Sequence, residues 1–161
     1  MKKITLLVLL ILGSLTAQLR LGMDVKRTRG NKSLSERNEM TGAAYTIGYE
    51  QMLLFGLIGV GAEYNIATGE KESAETIGFG YGVAKIPVGI PMLRGIIKAG
   101  TTFGHSDKSM SGGTSYGYGL RIKSPVFPIG IEILQTDHSF KRNWGENSYQ
   151  GHLNITATYS F

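Results

Sequence analysis

The chain contains no cysteine and only four prolines among its 161 residues. Without cysteine it has no disulfide, no thiolate metal ligand and no N-terminal Cys through which an exported lipoprotein would be anchored. The longest run dominated by apolar residues extends from Ile4 to Leu12, far short of the roughly 20 residues that a membrane-spanning helix needs. The fold must therefore be stabilised by packing and hydrogen bonding alone.

The N-terminus has the pattern of a secretory signal peptide. Lys2 and Lys3 precede the apolar run, and small and polar residues follow it as far as Ala17. This order of a basic segment, an apolar segment and a small residue is typical of a removed export signal. We expect cleavage after Ala17, which divides the chain into a signal peptide, 1–17, and one domain, 18–161.

The charge of the remaining domain is close to balanced. The whole chain carries 17 Lys and Arg against 12 Asp and Glu, and loss of Lys2 and Lys3 reduces the basic excess from five to three. The domain has no basic block and no aromatic platform of the kind that nucleic-acid binders use. No nucleic acid is expected as a partner.

The C-terminal segment, Ser148 to Phe161, alternates polar and apolar residues without interruption. Successive side chains of a strand point to opposite faces, so this segment predicts a strand with one apolar and one polar face. About 10 residues are enough for a tilted strand to cross a bilayer.

Seven further stretches alternate in the same way, with apolar residues expected outside and polar residues inside. They are Gln18 to Arg29, Thr41 to Gln51, a third that ends at Asn65, Ala74 to Ile86, Met92 to Gly104, Thr114 to Lys123 and Phe127 to His138. In the fourth, this rule places Ile77, Phe79, Tyr81 and Val83 outside and the glycines inside. The sequence thus predicts eight strands.

The connections between these strands alternate between long and short. The long ones are expected at Gly30 to Met40, Ile66 to Ser73, His105 to Gly113 and Ser139 to Asn147. All four prolines lie at or beside the short turns, where a missing N–H harms no central hydrogen bond. This rhythm is typical of transmembrane barrels, which have short turns at one end and longer loops at the other.

In these features the chain resembles the small eight-stranded bacterial outer-membrane β-barrels of the OmpA/OmpX type. The resemblance implies an all-β, antiparallel, up-and-down transmembrane barrel that is monomeric in the outer membrane, with periplasmic termini and extracellular long loops. It also implies that the C-terminal residues are read by the barrel-assembly machinery, here Phe161, Tyr159, Ala157, Ile155 and Leu153. A soluble lipocalin-like barrel, with its apolar face inward, is the main alternative.

An eight-stranded barrel is just wide enough for side chains to fill its interior. Ten charged residues are expected there as a mixed-sign structural network: Arg20, Asp24, Lys26, Glu50, Glu63, Arg94, Lys98, Arg121, Lys123 and Glu132. Opposite charges can neutralise one another in such a network. A narrow ion-conducting pore is the functional alternative.

Catalysis is a second class of hypothesis, because barrels of this size include lipid A deacylases and palmitoyltransferases. The deacylase resemblance requires His and Ser two residues apart on one face, whereas His138 and Ser139 are adjacent and alternate to opposite faces. We therefore expect a non-catalytic protein without cofactor or metal, and a lipid A-modifying enzyme remains the alternative.

Lipid is the partner that the sequence supports best, because aromatic residues lie near both ends of the predicted strands and would position a barrel in a bilayer. Basic side chains in the first long connection with its flanks and in the fourth, together with the tryptophan beside the latter, are candidates for binding lipopolysaccharide phosphates or another surface ligand. These candidates are Arg27, Arg29, Lys32, Arg37, Lys141, Arg142 and Trp144. The expected role is structural or interactive, through envelope stability, adhesion or lipopolysaccharide contact.

Overall fold

The computed structural model describes residues 16–30, 38–68, 75–143, 145 and 147–161. Within these ranges the chain forms strands at Thr16–Gly30 (β1), Asn38–Glu39 (β2), Ala44–Leu53 (β3), Ile58–Ala67 (β4), Thr76–Pro87 (β5), Leu93–His105 (β6), Met110–Ser111 (β7), Thr114–Lys123 (β8), Ile129–Arg142 (β9) and Asn147–Ser160 (β10). One turn of 3-10 helix, Leu54–Gly56, joins β3 to β4. No helix in the described ranges has the length and apolar character needed to cross a membrane.

The eight long strands form a closed antiparallel barrel. Their order is β10, β1, β3, β4, β5, β6, β8, β9, and β9 pairs with β10 to close the ring. The two-residue strands β2 and β7 extend β1 and β9 at one end. The predicted all-β, eight-stranded, up-and-down barrel is confirmed.

The two ends of the described chain meet in the wall. The amide of Ala17 donates to the carbonyl of Phe161 at 3.0 Å, and the amide of Phe161 donates back at 2.9 Å. Thr16 and Ala17 belong to β1, and 1–15 lie outside the described residues. The signal peptide and its cleavage after Ala17 stay predictions.

The barrel wall is apolar on the outside and polar on the inside. Ile47, Ile97 and Ile131 are about half exposed, at 49%, 55% and 55%. In contrast, the lumen residues Arg20 and Glu50 are fully buried. This distribution is that of a transmembrane barrel and is the opposite of the soluble lipocalin-like arrangement.

Strand β5 corrects one prediction. Ile77, Phe79, Tyr81 and Val83 face the lumen and are at most 5% exposed, so the prediction that they lie outside was wrong. The strand is small or apolar on both faces, and alternation fixes its period but not its orientation. On the outer wall, Phe103 of β6 covers the glycines of β5, because its ring contacts the position that a side chain would occupy at Gly78.

A β-bulge in β1 causes a second difference. Pairing with β10 shifts register between Asp24 and Lys26, and an extra residue in one strand reverses the faces that follow it. Lys26 therefore lies on the outer wall, where its ammonium is 2.6 Å from the carboxylate of Glu39. Arg27 turns into the lumen and is 3% exposed. The expectations of Lys26 in the lumen and of Arg27 on the surface were wrong.

The fourth long connection is shorter than predicted. Strand β9 continues to Arg142 and β10 begins at Asn147, so most of the range from Ser139 to Asn147 is an extended hairpin. Beyond His138 the outward residues are polar, so the alternation of polar and apolar residues did not predict that the strand continues.

Close approach of neighbouring strands requires glycine at particular positions. A Cβ at Gly119 would overlap the carbonyl oxygen of Ile133, whereas a Cβ at Gly82 would have its nearest neighbour at 3.9 Å. We expect Gly119→Ala to lower the free energy of unfolding by about 1–3 kcal/mol through overpacking. Gly82→Ala is the matched control and should change it by less than about 0.5 kcal/mol. Urea unfolding in lipid vesicles measures both, and equal effects would contradict the close-approach argument.

Candidate functional site

The middle of the lumen is filled by a network of ion pairs, here called the central network. It consists of Arg20, Glu50, Glu63, Lys85, Lys98, Arg121 and Glu132. Arg20 is its hub: the guanidinium lies 2.9 Å from Glu50 and 3.2 Å from Glu63, and it also pairs with Glu132. These contacts join β1 to three other strands of the barrel.

Two lysines connect β5 and β6 to the same carboxylates. The Lys85 ammonium is 2.5 Å from Glu50 and 2.9 Å from Glu132. The Lys98 ammonium is 3.0 Å from Glu63 and lies 3.9 Å from the centre of the Tyr81 ring. The Tyr81 hydroxyl donates to Glu50 at 2.9 Å. Each carboxylate therefore faces at least two cations or donors, which is the condition for keeping charges in a dry interior.

Arg121 extends the network toward the end of the barrel that carries the short turns. Its guanidinium donates to Gln18 at 2.9 Å and to Thr158 at 3.0 Å, and it lies 3.7 Å from Glu132. Apolar side chains pack around these groups in one buried cluster: Met52, Phe79, Tyr81, Val83, Ile96 and Leu134. The ion pairs and this apolar cluster together occupy the middle of the lumen.

The structure brings together six of the ten residues predicted for the lumen network. These are Arg20, Glu50, Glu63, Lys98, Arg121 and Glu132. Arg94 instead donates to the carbonyl of Gly56 at 2.9 Å. Lys123 is half-buried at the end of β8, and Lys26 is on the outer wall as described above.

Asp24 belongs to a separate polar cluster nearer the long connections. Its carboxylate is 2.6 Å from Nδ1 of His152 and accepts hydrogen bonds from Asn154 at 2.9 Å and from Asn65 at 3.1 Å. His152 and Asn154 belong to β10, which pairs with β1, and Asn65 belongs to β4, which is separated from β1 by β3. The cluster is a second polar layer above the central network.

Sequence reasoning missed Lys85, Tyr81 and Gln18 as lumen residues. Lys85 and Tyr81 were missed because the orientation of β5 was inverted. The signal was nevertheless present, since Lys85 shares a face with Val83 and Tyr81, and a lysine on the lipid face of a spanning strand is strongly disfavoured. One charge at the end of β5 was enough to orient the whole strand.

The structure separates the two residues of the catalytic hypothesis. His138 faces the lumen, is 4% exposed and has Nδ1 2.7 Å from the hydroxyl of Ser115. Ser139 faces the outer wall, where its hydroxyl is 2.9 Å from that of Thr114. The adjacent pair therefore has no common substrate-facing surface.

A salt-bridged carboxylate lies at the end of the lumen that carries the long connections. Glu75 is 2.9 Å from Arg29, lies 3.6 Å from His105 and accepts a hydrogen bond from Gln150. Burial alone would raise the pKa of the Glu75 carboxyl, but the His105 and Gln150 hydrogen bonds and the Arg29 charge outweigh burial and lower this pKa below its usual 4.5.

The lowered pKa predicts a pH-dependent effect of Glu75→Gln. The stabilisation from the folded-state shift is present above pH 4.5 and is lost as the pH falls through the lower folded value. We expect Glu75→Gln to reduce the urea midpoint at about pH 7 and to have a much smaller effect at about pH 3. Glu39→Gln, which breaks only an exposed pair, is the control. An equal loss at both pH values would contradict this account.

The predicted surface-contact residues fall into different places. Lys141 is exposed on β9, Arg142 is half-buried, Arg29 pairs with Glu75 and Arg27 is inside the barrel. Lys32, Arg37 and Trp144 lie outside the described residues. The predicted assembly residues Ile155, Ala157, Tyr159 and Phe161 face outward, and Leu153 on the same face is half-buried.

Comparison with known proteins gives matches in structure alone. No protein-family model and no curated protein sequence matches the chain. Neisserial surface protein A superposes with a TM-score of 0.63 at 12% identity, covering 92% of this chain and 97% of that one. Ail of Yersinia pestis, solved with the heparin analogue sucrose octasulfate, gives 0.53 at 12% identity, with 91% and 99% covered.

The N-terminal β-barrel domain of Pseudomonas aeruginosa OprF also matches, with a TM-score of 0.53, 10% identity, and 91% and 97% of the two chains covered. All three are small eight-stranded outer-membrane barrels. Their strand number and closure agree with the barrel described above. The chain therefore has the fold of the small eight-stranded outer-membrane β-barrels of the OmpA/OmpX type.

Proposed function

We propose that the protein is an integral outer-membrane barrel whose work is structural or interactive, not catalytic and not that of a channel. The observation that carries this proposal is the combination of an apolar outer wall with a lumen filled by the central network. The wall suits lipid. The interior offers fixed opposite charges at close range, with apolar side chains packed around them.

In this proposal the termini and short turns are periplasmic, and the long connections are extracellular. The outward aromatic residues support the span itself, because Phe55, Phe127 and Phe161 are exposed at one end, and Tyr64 and Phe103 are exposed toward the other. Such rings favour the headgroup level. The barrel is inserted by the assembly machinery, with Phe161 as the terminal residue of its signal.

Cell fractionation with heat-modifiable gel mobility tests the proposal. We expect recovery in the outer membrane and a mobility difference between unheated and boiled samples, because barrels resist unfolding in detergent. A variant lacking Phe161 should be recovered in lower amount, with the mobility shift retained in the fraction that folds. A periplasmic protein with no shift would overturn the proposal.

The interactive part of the proposal concerns the extracellular connections, because exposed loops on a rigid scaffold are where binding residues concentrate. The similar barrel Ail was solved with a sulfated sugar, and here Lys141 is exposed near the connection between β9 and β10. We propose that such basic side chains contact lipopolysaccharide or a host surface ligand. Lys141→Gln should reduce binding of whole cells to immobilised heparin, and unchanged binding would contradict this part of the proposal.

The channel and enzyme alternatives have direct tests. Planar-bilayer recordings should show no stable conductance for the wild type, and steady openings would contradict the proposal. Lipid A extracted from cells expressing the wild type should match that from cells expressing His138→Ala. A modification present only with the wild type would establish an enzyme instead.

A further inference from the structure

The outer wall formed by β8, β9 and β10 changes character along its length. The outward residues of β9 begin with Ile129, Ile131 and Ile133, which are about half exposed. The next outward positions on the same strand are Gln135, Asp137 and Ser139. An apolar stripe thus ends in a stripe of hydrogen-bonding groups on the lipid side of the barrel.

Neighbouring strands turn this polar stripe into a groove. Asp137 is paired across the sheet with Tyr116 of β8 on one side and with Gly151 of β10 on the other. Gly151 has no side chain and leaves a depression between Asp137 and Thr28, its partner on β1. The wall is therefore concave at this point, and the ring of Tyr116 lies along one side of the depression.

Two adjoining hollows make up this outer-wall groove and share Tyr116 and Asp137. The upper hollow, which is the one nearer the long connections, has a volume of about 500 Å³. It is lined by polar side chains that include Thr101, Thr114, Ser139 and Asn147. The lower hollow, about 380 Å³, contains Tyr118 and Leu153 and continues into the apolar wall. A basic side chain borders each hollow: Lys141 the upper and Lys26 the lower.

The polar groups of the upper hollow are held in place by one another. The Ser139 hydroxyl lies 2.9 Å from that of Thr114 and donates to the Thr114 carbonyl at 3.0 Å. At the boundary of the two hollows, the amide of Gln135, which lines the lower one, donates to Asp137 at 3.4 Å. Fixed hydroxyl, amide and carboxylate groups beside tyrosine rings suit a ligand with many hydroxyl groups, because ring faces pack on the sugar while polar atoms meet its donors and acceptors.

We propose that the outer-wall groove binds the phosphorylated sugar headgroup of an outer-leaflet glycolipid. The lower hollow continues into the apolar wall. We therefore expect the occupant to carry acyl chains, which would lie along Tyr118, Leu153 and Ile133. The Asp137 carboxylate and the Ser139 hydroxyl oxygen accept hydrogen bonds from sugar hydroxyls, since the Ser139 proton is donated to the Thr114 carbonyl. Lys141 attracts a phosphate, whereas Lys26 is already paired with Glu39. This inference rests on the proposed function, since the groove meets lipid only in a barrel that spans the outer membrane.

The opposite wall lacks these features and provides an internal comparison. On β3 and β4 the corresponding outward residues are Tyr45, Ile47, Tyr64 and Ile66, all apolar or aromatic and all about half exposed. Those residues suit acyl chains and the headgroup boundary without a polar recess. Glycolipid should therefore occupy one side of the barrel.

The test is native mass spectrometry of the barrel refolded in detergent, titrated with diphosphoryl lipid A. We expect one tightly bound lipid A on the wild type. Ser139→Ala and Asp137→Asn should each weaken this binding, the second by about tenfold, as expected when a hydrogen bond to a charged acceptor becomes one to a neutral acceptor. Lys108→Gln, in the connection between β6 and β7 and outside the groove, is the control and should bind as the wild type does.

Phosphatidylglycerol serves as the competitor that carries phosphate and acyl chains without an amino sugar. Unchanged lipid A affinity in both groove variants, or equal competition by phosphatidylglycerol, would overturn the glycolipid site. Heat-modifiable mobility is recorded for each sample. A barrel that folds in lipid but shows no groove-dependent lipid A binding refutes this inference alone, whereas failure of the wild type to fold in lipid refutes the proposed function as well.

Discussion

Arg20→Met should lower the free energy of unfolding by about 3–5 kcal/mol, the range expected when one member of a buried ion pair is removed. Arg20 is fully buried and pairs with Glu50, Glu63 and Glu132. Methionine fills similar space but leaves these carboxylates with less compensating charge. Urea unfolding in lipid vesicles, followed by far-UV circular dichroism, measures the change.

Lys26→Met is the matched control for the loss of a basic side chain from the same strand. Lys26 pairs with Glu39 on the exposed wall, and an exposed pair contributes about 0–1 kcal/mol. Adding Glu132→Gln to Arg20→Met should restore part of the stability, because it removes one of the uncompensated carboxylates. If Arg20→Met were as mild as Lys26→Met, the central network would not be a principal source of stability.

Ile133→Lys should lower the free energy of unfolding by about 2–4 kcal/mol, the cost of a lysine on the lipid face near the bilayer midplane. Ile133 is 53% exposed on the outer wall, between Leu120 of β8 and Ile155 of β10. In a water-soluble barrel, the same exposed substitution would change stability by only about 0.5 kcal/mol. The expected loss therefore depends on the wall facing lipid.

Val126→Lys provides the comparison at the edge of the membrane. Val126 is 78% exposed in the short connection between β8 and β9, where lysine should cost about 0–1 kcal/mol. Both variants are unfolded with urea in vesicles of the same lipid. Equal, small effects of the two lysines would contradict the membrane-facing assignment of the outer wall.

The residues of the central network show where alternation predicts the direction of a side chain and where it does not. On β3 and β8, charged residues such as Glu50 and Arg121 alternate with clearly apolar ones, so their direction followed from the period of two. On β5, both faces contain small or apolar residues, and the period alone left the orientation open. The charge of Lys85 was the one sign of that orientation in the sequence, and the structure shows it directly: Phe103 packs over the outer glycines and Lys85 lies among the carboxylates.

The sequence by itself determined the number of barrel strands, the antiparallel closure and the apolar outer wall, because these depend on local alternation and turn spacing. The tertiary structure alone decided that Lys26 leaves the lumen, since a bulge between Asp24 and Lys26 shifts the pairing with β10. It also decided which charges meet, because Arg20 and Glu132 are 112 positions apart in the chain. Closure of the barrel brings these two residues together, and no local sequence pattern predicts a contact between positions so far apart in the chain.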